Sequence, residues 1–388
     1  MTALALPADR CALVVDLSAI RANWRAVRQS FTGAGVGAVV KQDAYGLGIA
    51  EVVPLLAALG CRDFWVADMA EAIAVRRADP AGRIFVLHGL AGGTPYDYRA
   101  LGAVPVLVDM AEVERLAAAA GETPADCAIH LDTGLNRLGL GLADVRRLAA
   151  APDRAKRLRV AAYVTHLAHF SDPAARPNAW QWRRFSAWTR HLPPAPLSFC
   201  ASSGVFGPKE RHGDLARVGS ALYGVETTPS RPQPIVAAAT LSAPILRVHK
   251  VPAGREVGYS GAYRTTGERR LAQLGIGYGD GVPYRFHTQA HVLIDGHRAP
   301  VVSTSAMSLM SVDVTDLPEA AARTGMRAVL FGPDLPVDQL AAAAGVAPNV
   351  IHVRAGRSAQ RIYLPCADEA GAAPAGTAQR TSPAPQVV

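Results

Sequence analysis

Lys41 stands where an apolar run turns into a glycine-punctuated segment. Residues 35–40 read Gly-Val-Gly-Ala-Val-Val, and residues 42–48 read Gln-Asp-Ala-Tyr-Gly-Leu-Gly. This pattern predicts a buried strand that ends at a turn, so the ammonium of Lys41 emerges at the strand's end. A partly desolvated lysine loses its proton more readily and can condense with an aldehyde. Lys41 is therefore a candidate catalytic residue, although the same placement also fits a solvated surface lysine.

Composition restricts the classes of protein to which the chain can belong. Of its 388 residues 50% are hydrophobic and 19% are charged, which predicts a globular protein of about two domains. No apolar run approaches the roughly 18 residues that a membrane span needs, and residues 1–10 lack the pattern of a signal peptide. Five scattered cysteines without CxxC spacing argue against a disulfide framework and a zinc site. We therefore expect a cytoplasmic protein without a metal.

The net charge of +8 raises the question of a nucleic-acid partner. The arginines are spread singly or in pairs through helical stretches, whereas a nucleic-acid surface needs basic residues clustered on one face. The distribution favours solvated helix faces. We expect neither a nucleic-acid nor a membrane partner.

Short apolar runs alternate with helical stretches over about 200 residues, which predicts a parallel sheet. Eight repeats is the number that closes a (β/α)8 TIM-like barrel. After about Pro234 the sequence pattern changes to runs in which apolar and polar residues alternate, which is typical of a mostly antiparallel β domain. One helix is predicted in that domain, at 337–344. The expected units are a barrel domain at 11–233, a C-terminal β domain at 234–365 and a disordered tail at 366–388. The eight predicted strands are 35–41, 63–68, 83–89, 104–109, 127–133, 160–167, 197–203 and 215–220.

Small residues follow the last two predicted strands of the barrel. Ser202 and Ser203 come after the seventh strand, and Gly219 and Ser220 come after the eighth. Barrels frequently hold phosphate at these two loops, and their chemistry lies at the C-terminal ends of the strands. A Schiff-base lysine on the first strand facing a phosphate cup on the last two predicts a pocket for pyridoxal 5'-phosphate.

Six segments of the chain, in order, are similar to motifs of the alanine racemase family, a group of fold type III pyridoxal phosphate enzymes. The resemblance runs from about residue 13 to residue 363. It implies a (β/α)8 barrel followed by a β domain, and an enzyme that interconverts L- and D-alanine and supplies D-alanine for peptidoglycan. The segments are 39–46 (Val-Val-Lys-Gln-Asp-Ala-Tyr-Gly), 131–139 (Leu-Asp-Thr-Gly-Leu-Asn-Arg-Leu-Gly), 165–168, 217–224, 257–259 and 277–281.

The resemblance implies two catalytic bases. Lys41 would form the internal aldimine and act as base on one face of the substrate, and Tyr259 of the partner subunit would act on the other face. Racemisation removes a proton from one face of Cα and delivers one to the opposite face, so it requires groups on two walls. A homodimer with shared active sites follows from this resemblance. Taken alone, Tyr259 would fit a half-buried strand tyrosine.

The resemblance also implies the ring and substrate contacts. Arg217 would contact the pyridine nitrogen and keep it unprotonated, which shortens the life of a carbanion and disfavours side reactions. Its alternative is an arginine paired with a carboxylate at the barrel rim. His166 would lie against the ring and bond to Arg217. Arg137 would hold the phenolate oxygen and, with the backbone N–H of Met307, the substrate carboxylate. Tyr278 would line the substrate entrance or, alternatively, pack on the β domain.

The phosphate contacts implied by the family follow the same loops. The residues expected to bind the phosphate are Tyr45, Ser202, Gly219 and Ser220. Ser203 is their neighbour, and the resemblance does not specify its contribution to phosphate binding.

Several positions depart from the family pattern. His130 stands where some members carry a carbamylated lysine, and Ala201 and Val218 replace a common asparagine and proline. Thr304 and Ser308 replace an arginine and an aspartate, and losing both members of such a pair leaves neither charge buried alone. These changes leave room for a racemase of serine or of broader range. A pyridoxal phosphate carrier without turnover would lack the β domain, and a decarboxylase would need longer carbanion stabilisation than the Arg217 segment implies.

Overall fold

Two eight-stranded sheets and a two-stranded hairpin organise the protein. The computed structural model describes residues 6–226, 228, 233–286 and 288–366. The chain starts with strand β1 (Ala12–Asp16), which leads directly into helix α1 (Leu17–Ser30). The carboxylate of Asp16 accepts the N–H groups of Ser18 and Ala19, so the helix begins at a capped residue.

The first sheet is a nearly closed parallel barrel of eight strands, in which the last strand (Leu215–Val218) pairs with the first (Gly35–Val39). Between the end strands, the N–H of Asp214 donates to Leu197 O at 2.7 Å and the N–H of Arg217 donates to Cys200 O at 2.9 Å. The predicted barrel fold is confirmed. Its elements are β2 (Gly35–Val39), α2 (Lys41–Tyr45), α3 (Ile49–Ala58), β3 (Asp63–Val66), α4 (Met69–Ala78), β4 (Arg83–Val86), α5 (Pro95–Leu101), β5 (Ala103–Leu107), α6 (Met110–Ala119), β6 (Ala125–His130), α7 (Leu142–Ala149), α8 (Pro152–Lys156), β7 (Leu158–Val164), α9 (Arg176–Thr189), β8 (Leu197–Ser198), α10 (Ser202–Val205) and β9 (Leu215–Val218).

The barrel interior is packed with apolar side chains from alternate positions of its strands. Trp65 and Phe85 stack with ring centroids 4.0 Å apart, and both are fully buried. Val104 and Val106 of β5, with Val39 of β2, belong to the same cluster. Large aromatic side chains contribute much of the hydrophobic stabilisation of such a core, so the barrel floor is rigid beneath the strand ends.

The sequence Asp-Met-Ala-Glu occurs after two barrel strands, at residues 68–71 and 109–112. In each case the aspartate accepts the N–H of the glutamate and so caps the helix. Glu71 also accepts the N–H of Ala67 at 2.8 Å and that of Gln42 at 2.6 Å. The carboxylate of Glu71 therefore links the end of β3 to the segment that follows Lys41.

The second sheet is mostly antiparallel, as predicted. Strand β1, although it precedes the barrel, pairs antiparallel with the strand Ala239–Val251 and parallel with the strand Gln360–Leu364. The sequence pattern does not predict this pairing, because strand periodicity carries no information about distant partners. The elements are β10 (Ala239–Val251), β11 (Glu256–Val257), β12 (Tyr263–Arg264), β13 (Arg269–Leu274), β14 (His291–Ile294), β15 (His297–Pro300), β16 (Met310–Asp313), β17 (Arg327–Phe331), α11 (Val337–Ala344), α12 (Pro348–Ser358) and β18 (Gln360–Leu364).

The predicted elements differ from the observed ones at two places that matter for the site. The predicted strand 197–203 is a strand only at Leu197–Ser198, because residues 202–205 form a helical turn. The expectation of a single helix in the β domain was wrong: α11 has the predicted bounds, but α12 follows it. Valine, isoleucine and glycine within α12 lower its helix propensity and conceal it.

Apart from the buried Cys366, the predicted tail at 366–388 lies outside the described residues. Within the described ranges, no helix has the length and apolar character that crossing a membrane requires. The same part of the chain holds no group of three or more His, Cys, Asp or Glu side chains placed to bind a metal.

Candidate active site

A cavity of about 630 Å³ opens at the C-terminal ends of the barrel strands. It is lined mainly by barrel residues, together with Asn349 and Val353 from α12 of the second domain. The predicted site residues that the structure brings together here are Lys41, Tyr45, Arg137, His166, Ser202, Ser203, Arg217, Gly219 and Ser220. His130 and Ala201, two of the departures from the family pattern, also line it.

Lys41 is followed by a left-handed turn. Residues 42–45 all have φ between 53° and 58°, and none of them is glycine. Left-handed helical conformation costs roughly 1–2 kcal/mol per residue, so a run of four needs support from its surroundings. The Glu71 carboxylate accepts the N–H of Gln42, and Arg361 of the second domain pairs with Asp43 at 2.5 Å. Contacts from both domains thus hold the segment that fixes Lys41.

The pKa of Lys41 lies below its ordinary value. Burial is the main cause, and the positive charge of Arg137 acts in the same direction. Glu71 opposes the shift, and Arg217 adds a smaller lowering. Lys41 therefore holds its proton less tightly than a solvated lysine, which makes it both a nucleophile and a proton acceptor.

The loops after β8 and β9 form a cup of hydroxyls and backbone N–H groups. Ser202 Oγ accepts the N–H groups of Gly219 at 3.1 Å and Ala221 at 3.3 Å. Ser203 Oγ is buried and has no hydrogen-bond partner in the part of the chain that the structure describes. A Cβ on Gly219 would lie 2.4 Å from the hydroxyl of Tyr45, so the cup has room only for glycine there. An unpaired buried donor beside such a cup fits the phosphate group of pyridoxal phosphate.

Arg217 is buried at the cavity floor. Its guanidinium donates to the backbone oxygen and the hydroxyl of Ser198, each at 2.7 Å, and to Thr165 O. It lies over the Trp65 ring, 5.6 Å from the centroid. Burial is the main cause that lowers its pKa, to about 10. Within the described part of the chain it makes no ion pair, so the alternative of a rim salt bridge is wrong.

His166 lines the cavity, but the expected hydrogen bond between its ring and Arg217 is absent among the described residues, since that guanidinium donates to Ser198 and Thr165. Burial, with the charge of Arg217 as the next cause, lowers the pKa of His166 to about 3. The ring is therefore neutral at physiological pH. A neutral ring can lie against an aromatic cofactor without adding charge.

Tyr259, Met307 and Tyr278 lie outside this cavity. Tyr259 lines a separate hollow of about 460 Å³ in the second domain, together with Thr304. Among the described residues the buried hydroxyl of Thr304 has no hydrogen-bond partner, and Tyr259 and Met307 are each 64% exposed. The N–H of Tyr278 donates to Ala306 O at 2.9 Å, which places it beside the Met307 segment. These residues form an exposed surface, and Ser308 is exposed as well.

Asn349 is a cavity residue that the sequence analysis missed. Its side-chain amide donates to Ser220 Oγ at 3.1 Å, so α12 contributes a polar group to the phosphate cup. Pro348 in the first turn is a helix-start signal that could have identified α12. No local pattern links the helix to the barrel mouth.

Residues 15–227 match the N-terminal domain of alanine racemase, and residues 238–363 match its C-terminal domain. The chain is 40% identical over 334 residues to an alanine racemase of Acidiphilium cryptum, covering 86% of this chain and 93% of the relative. It is also 40% identical over 360 residues to an alanine racemase of a Methylobacterium species, covering 91% and 97%.

Solved structures agree with these matches. The alanine racemase of Bartonella henselae, which contains covalently bound pyridoxal phosphate, has a TM-score of 0.87 and 30% identity, covering 92% of this chain and 99% of that one. The alanine racemase of Streptomyces coelicolor has a TM-score of 0.85 and 33% identity, covering 92% and 98%. The resemblance read from the six motifs is confirmed, and the chain belongs to the alanine racemase family.

Proposed function

We propose that this protein is a pyridoxal phosphate-dependent alanine racemase that interconverts L- and D-alanine. One observation carries the proposal. The Lys41 amine, whose pKa is lowered, shares a cavity with the buried Ser203 hydroxyl and the Arg217 guanidinium. Within the described ranges the hydroxyl has no hydrogen-bond partner and the guanidinium has no carboxylate partner. A lysine, a phosphate cup and a fixed cation for the ring nitrogen are the groups that bind this cofactor in a racemase of this family.

The residues of the chain would divide the work as follows. When bound, the cofactor withdraws electrons from Cα of the attached amino acid and so acidifies its proton. Lys41 takes or returns that proton on one face. Arg217 would donate to the pyridine nitrogen and keep it unprotonated, and His166 would lie against the ring. The phosphate is held by the hydroxyls and N–H groups of the cup, namely Tyr45, Ser202, Ser203, Gly219 and Ser220.

The second proton exchange is assigned to Tyr259 of a partner subunit. In support, Tyr259 lies outside the cavity that contains Lys41 of its own chain, and it is 64% exposed. An exposed hydroxyl on a second domain can serve a neighbouring barrel only if two chains associate. We therefore propose a homodimer with two shared sites.

The substrate carboxylate is assigned to Arg137, with the backbone N–H of Met307 as its second donor. Arg137 lines the cavity beside Lys41 and has no ion-pair partner among the described residues, so its charge is free for an anion. Tyr278 is assigned to the entrance, because its backbone is hydrogen-bonded to the segment that carries Met307. In the cell, the product would be D-alanine for peptidoglycan, made in the cytoplasm.

Racemisation of serine is a second candidate activity. The observation that favours it is the unpaired buried hydroxyl of Thr304 in the hollow beside Tyr259. A hydroxyl there offers a hydrogen bond to a polar side chain, which the methyl group of alanine cannot use.

The test is incubation of the purified holoenzyme with L-alanine, and separately with L-serine, in deuterated water. We expect rapid formation of D-alanine with deuterium at Cα, and slower formation of D-serine. Bound cofactor with little conversion of either amino acid would contradict the racemase proposal and favour a carrier. Faster conversion of serine would retain the cofactor site and reject alanine as the main substrate.

A further inference from the structure

The His166 ring lines the cavity without a hydrogen bond of its own to any residue in the described ranges. Strand β7 ends just before it, at Val164. The bond from the N–H of Thr165 to Ser198 O, at 3.2 Å, is the last that this strand end makes to the backbone of a neighbouring strand. The place of the ring therefore depends on what holds the backbone of residues 166–168.

Gln181 of α9 supplies that support. Its side-chain oxygen accepts the N–H of Ala168 at 2.9 Å, and its nitrogen donates to His166 O at 2.9 Å. A side-chain amide has the donors and the acceptor of a peptide group, so it pairs with this segment as a neighbouring strand would. Gln181 is 3% exposed, and hydrogen bonds are most costly to lose where the partner left behind is buried.

The second N–H of the same amide connects the segment to the loop after β6. It donates to Thr133 Oγ1 at 3.3 Å, and the Thr133 hydroxyl is hydrogen-bonded to that of Thr165 at 2.8 Å. The backbone of this loop is itself fixed, because Asp132 Oδ1 accepts three backbone N–H groups at 3.0 Å. Gln181 thus joins a fixed loop to the segment that carries His166.

The face of α9 that contains Gln181 is unusual in its polarity. Asn178, Gln181 and Phe185 are spaced by three and four residues, so they lie on one face of the helix, and all three are buried. Apolar side chains would pack there without the cost of burying an amide. A buried polar network whose bonds are all made fixes the relative positions of its members more specifically than apolar packing does.

We propose that Gln181 is a positioning residue: it holds the backbone of residues 166–168 so that the His166 ring keeps a fixed place in the cavity. This inference rests on the proposed function, because a fixed ring matters only if a cofactor ring binds against it. A group that already has its bound position before the ligand arrives loses less conformational entropy on binding. Gln181 therefore acts on cofactor affinity through His166.

The test compares Gln181→Met with the matched control Asn178→Leu. Each change removes a buried amide from the same face of α9 and keeps roughly its volume. Asn178 also makes three hydrogen bonds, but to the backbone of residues 169 and 172, beyond the His166 segment. We expect both variants to melt at a lower temperature than the wild type.

Only Gln181→Met is expected to change the cofactor site. Titration of the apo protein with pyridoxal phosphate should show a Kd raised roughly tenfold, and the circular dichroism in the absorption band of the bound cofactor should change. An unchanged Kd in Gln181→Met would overturn the proposal. Equal changes in both variants would also overturn it, since α9 would then contribute packing alone.

Thr133→Val keeps the test decisive if Gln181→Met does not fold. It removes the acceptor of the second N–H at nearly constant shape. We expect a Kd raised roughly threefold, with the same change in circular dichroism. A wild-type Kd and spectrum in this variant would contradict the link between the two segments.

Hydrogen exchange of the apo protein measures the contact without cofactor or turnover. The N–H of Ala168 is expected to exchange faster in Gln181→Met than in the wild type, and at the wild-type rate in Asn178→Leu. An unchanged rate in Gln181→Met would reject the contact. If the wild-type holoenzyme racemises nothing, the proposed function fails, while exchange and cofactor titration still decide the role of Gln181.

Discussion

The cavity at the barrel mouth and the hollow around Tyr259 are two polar regions that differ in how many polar groups they bring together and how far those groups are buried. At the barrel mouth, hydroxyls, N–H groups and a buried guanidinium converge on one cavity, and both domains of a single chain support them. Around Tyr259 the hollow is smaller, about 460 Å³, and the tyrosine itself is 64% exposed. The first region can bind a cofactor by itself. The second contains one exposed tyrosine hydroxyl, which under the proposed function would act only when another chain completes the site.

Replacing Lys41 by alanine removes the central group of the first region. We expect racemisation to fall by roughly 10³-fold or more, since both proton transfer and covalent attachment of the cofactor are lost. The measurement is the rate of D-alanine formation together with the absorbance spectrum of the bound cofactor.

Lys250→Ala is the control for that change, because Lys250 is exposed and pairs with Glu268 at the surface. It is expected to racemise at the wild-type rate. If the Lys41→Ala protein retained a tenth of the wild-type activity, Lys41 would not be a catalytic residue.

Tyr259→Phe tests the second region. Loss of a general acid–base group costs about 10²–10⁴-fold in rate, so we expect a defect of that order with the cofactor spectrum unchanged. Exchange of the Cα proton for deuterium should persist in the alanine enantiomer whose proton faces Lys41, while inversion slows. Tyr96→Phe, at a similarly exposed tyrosine of the barrel domain, should have no effect.

Mixing the Lys41→Ala and Tyr259→Phe proteins tests whether each active site combines residues of two subunits. In a heterodimer of Lys41→Ala and Tyr259→Phe chains, one site would combine the intact lysine of one subunit with the intact tyrosine of the other. Random exchange of subunits is expected to restore about a quarter of the wild-type activity, because half the dimers are mixed and each has one complete site. No recovery after verified exchange would show that the sites are not shared.

Local patterns predicted the first region better than the second. Alternating strands and helices predicted the barrel, and the small residues after its last strands predicted the cup at Ser202 and Gly219. The left-handed turn after Lys41 was not predictable, because no residue in 42–45 is glycine and the conformation is stabilised by Glu71 and Arg361 from elsewhere in the chain. Contacts between residues that are far apart in sequence cannot be recognised from the residues of one segment.

The same reason explains the missed contribution of the second domain to the cup. Asn349 reaches Ser220 across 129 positions of sequence, from a helix whose composition resembles a loop. The role of Tyr259 came only from its resemblance to a family motif, since an isolated exposed tyrosine has no distinguishing pattern. Where a site depends on another chain, periodicity within one chain carries no information about it.

Gly219→Ala probes how tightly the cup is built. The added methyl would lie 2.4 Å from the Tyr45 hydroxyl, so the two must separate and the cup must widen. Overpacking of this kind costs about 1–3 kcal/mol, which corresponds to a loss of cofactor affinity of roughly 5-fold to 150-fold. Titration of apo protein with pyridoxal phosphate measures it.

Gly141→Ala is the matched control, because its φ is −79° and nothing lies within 4 Å of an added Cβ. Equal affinities for the two variants would mean that the phosphate is held away from this loop.

The smallest expected effect concerns the acid stability of the first region, the barrel mouth with the helix α12 beside it. The pKa of His352, in α12 beside the barrel mouth, is lowered by burial to about 4, and burial likewise lowers those of His130 and His166. As pH falls below about 6.5 these histidines take up protons in the unfolded chain but not in the folded chain. Their contribution to the free energy of unfolding is therefore fully present above pH 6.5 and decreases as pH falls towards 4.

Each such histidine contributes at most about 1.4 kcal/mol per pH unit to that loss. We therefore expect His352→Gln to reduce the difference in melting temperature between pH 7 and pH 5, whatever its effect at either pH alone. His191→Gln, at an exposed position, should leave the difference unchanged. If the two variants gave the same pH dependence as the wild type, acid sensitivity would have to come from groups other than His352. The contact of α12 with the barrel mouth would then not be what acid weakens.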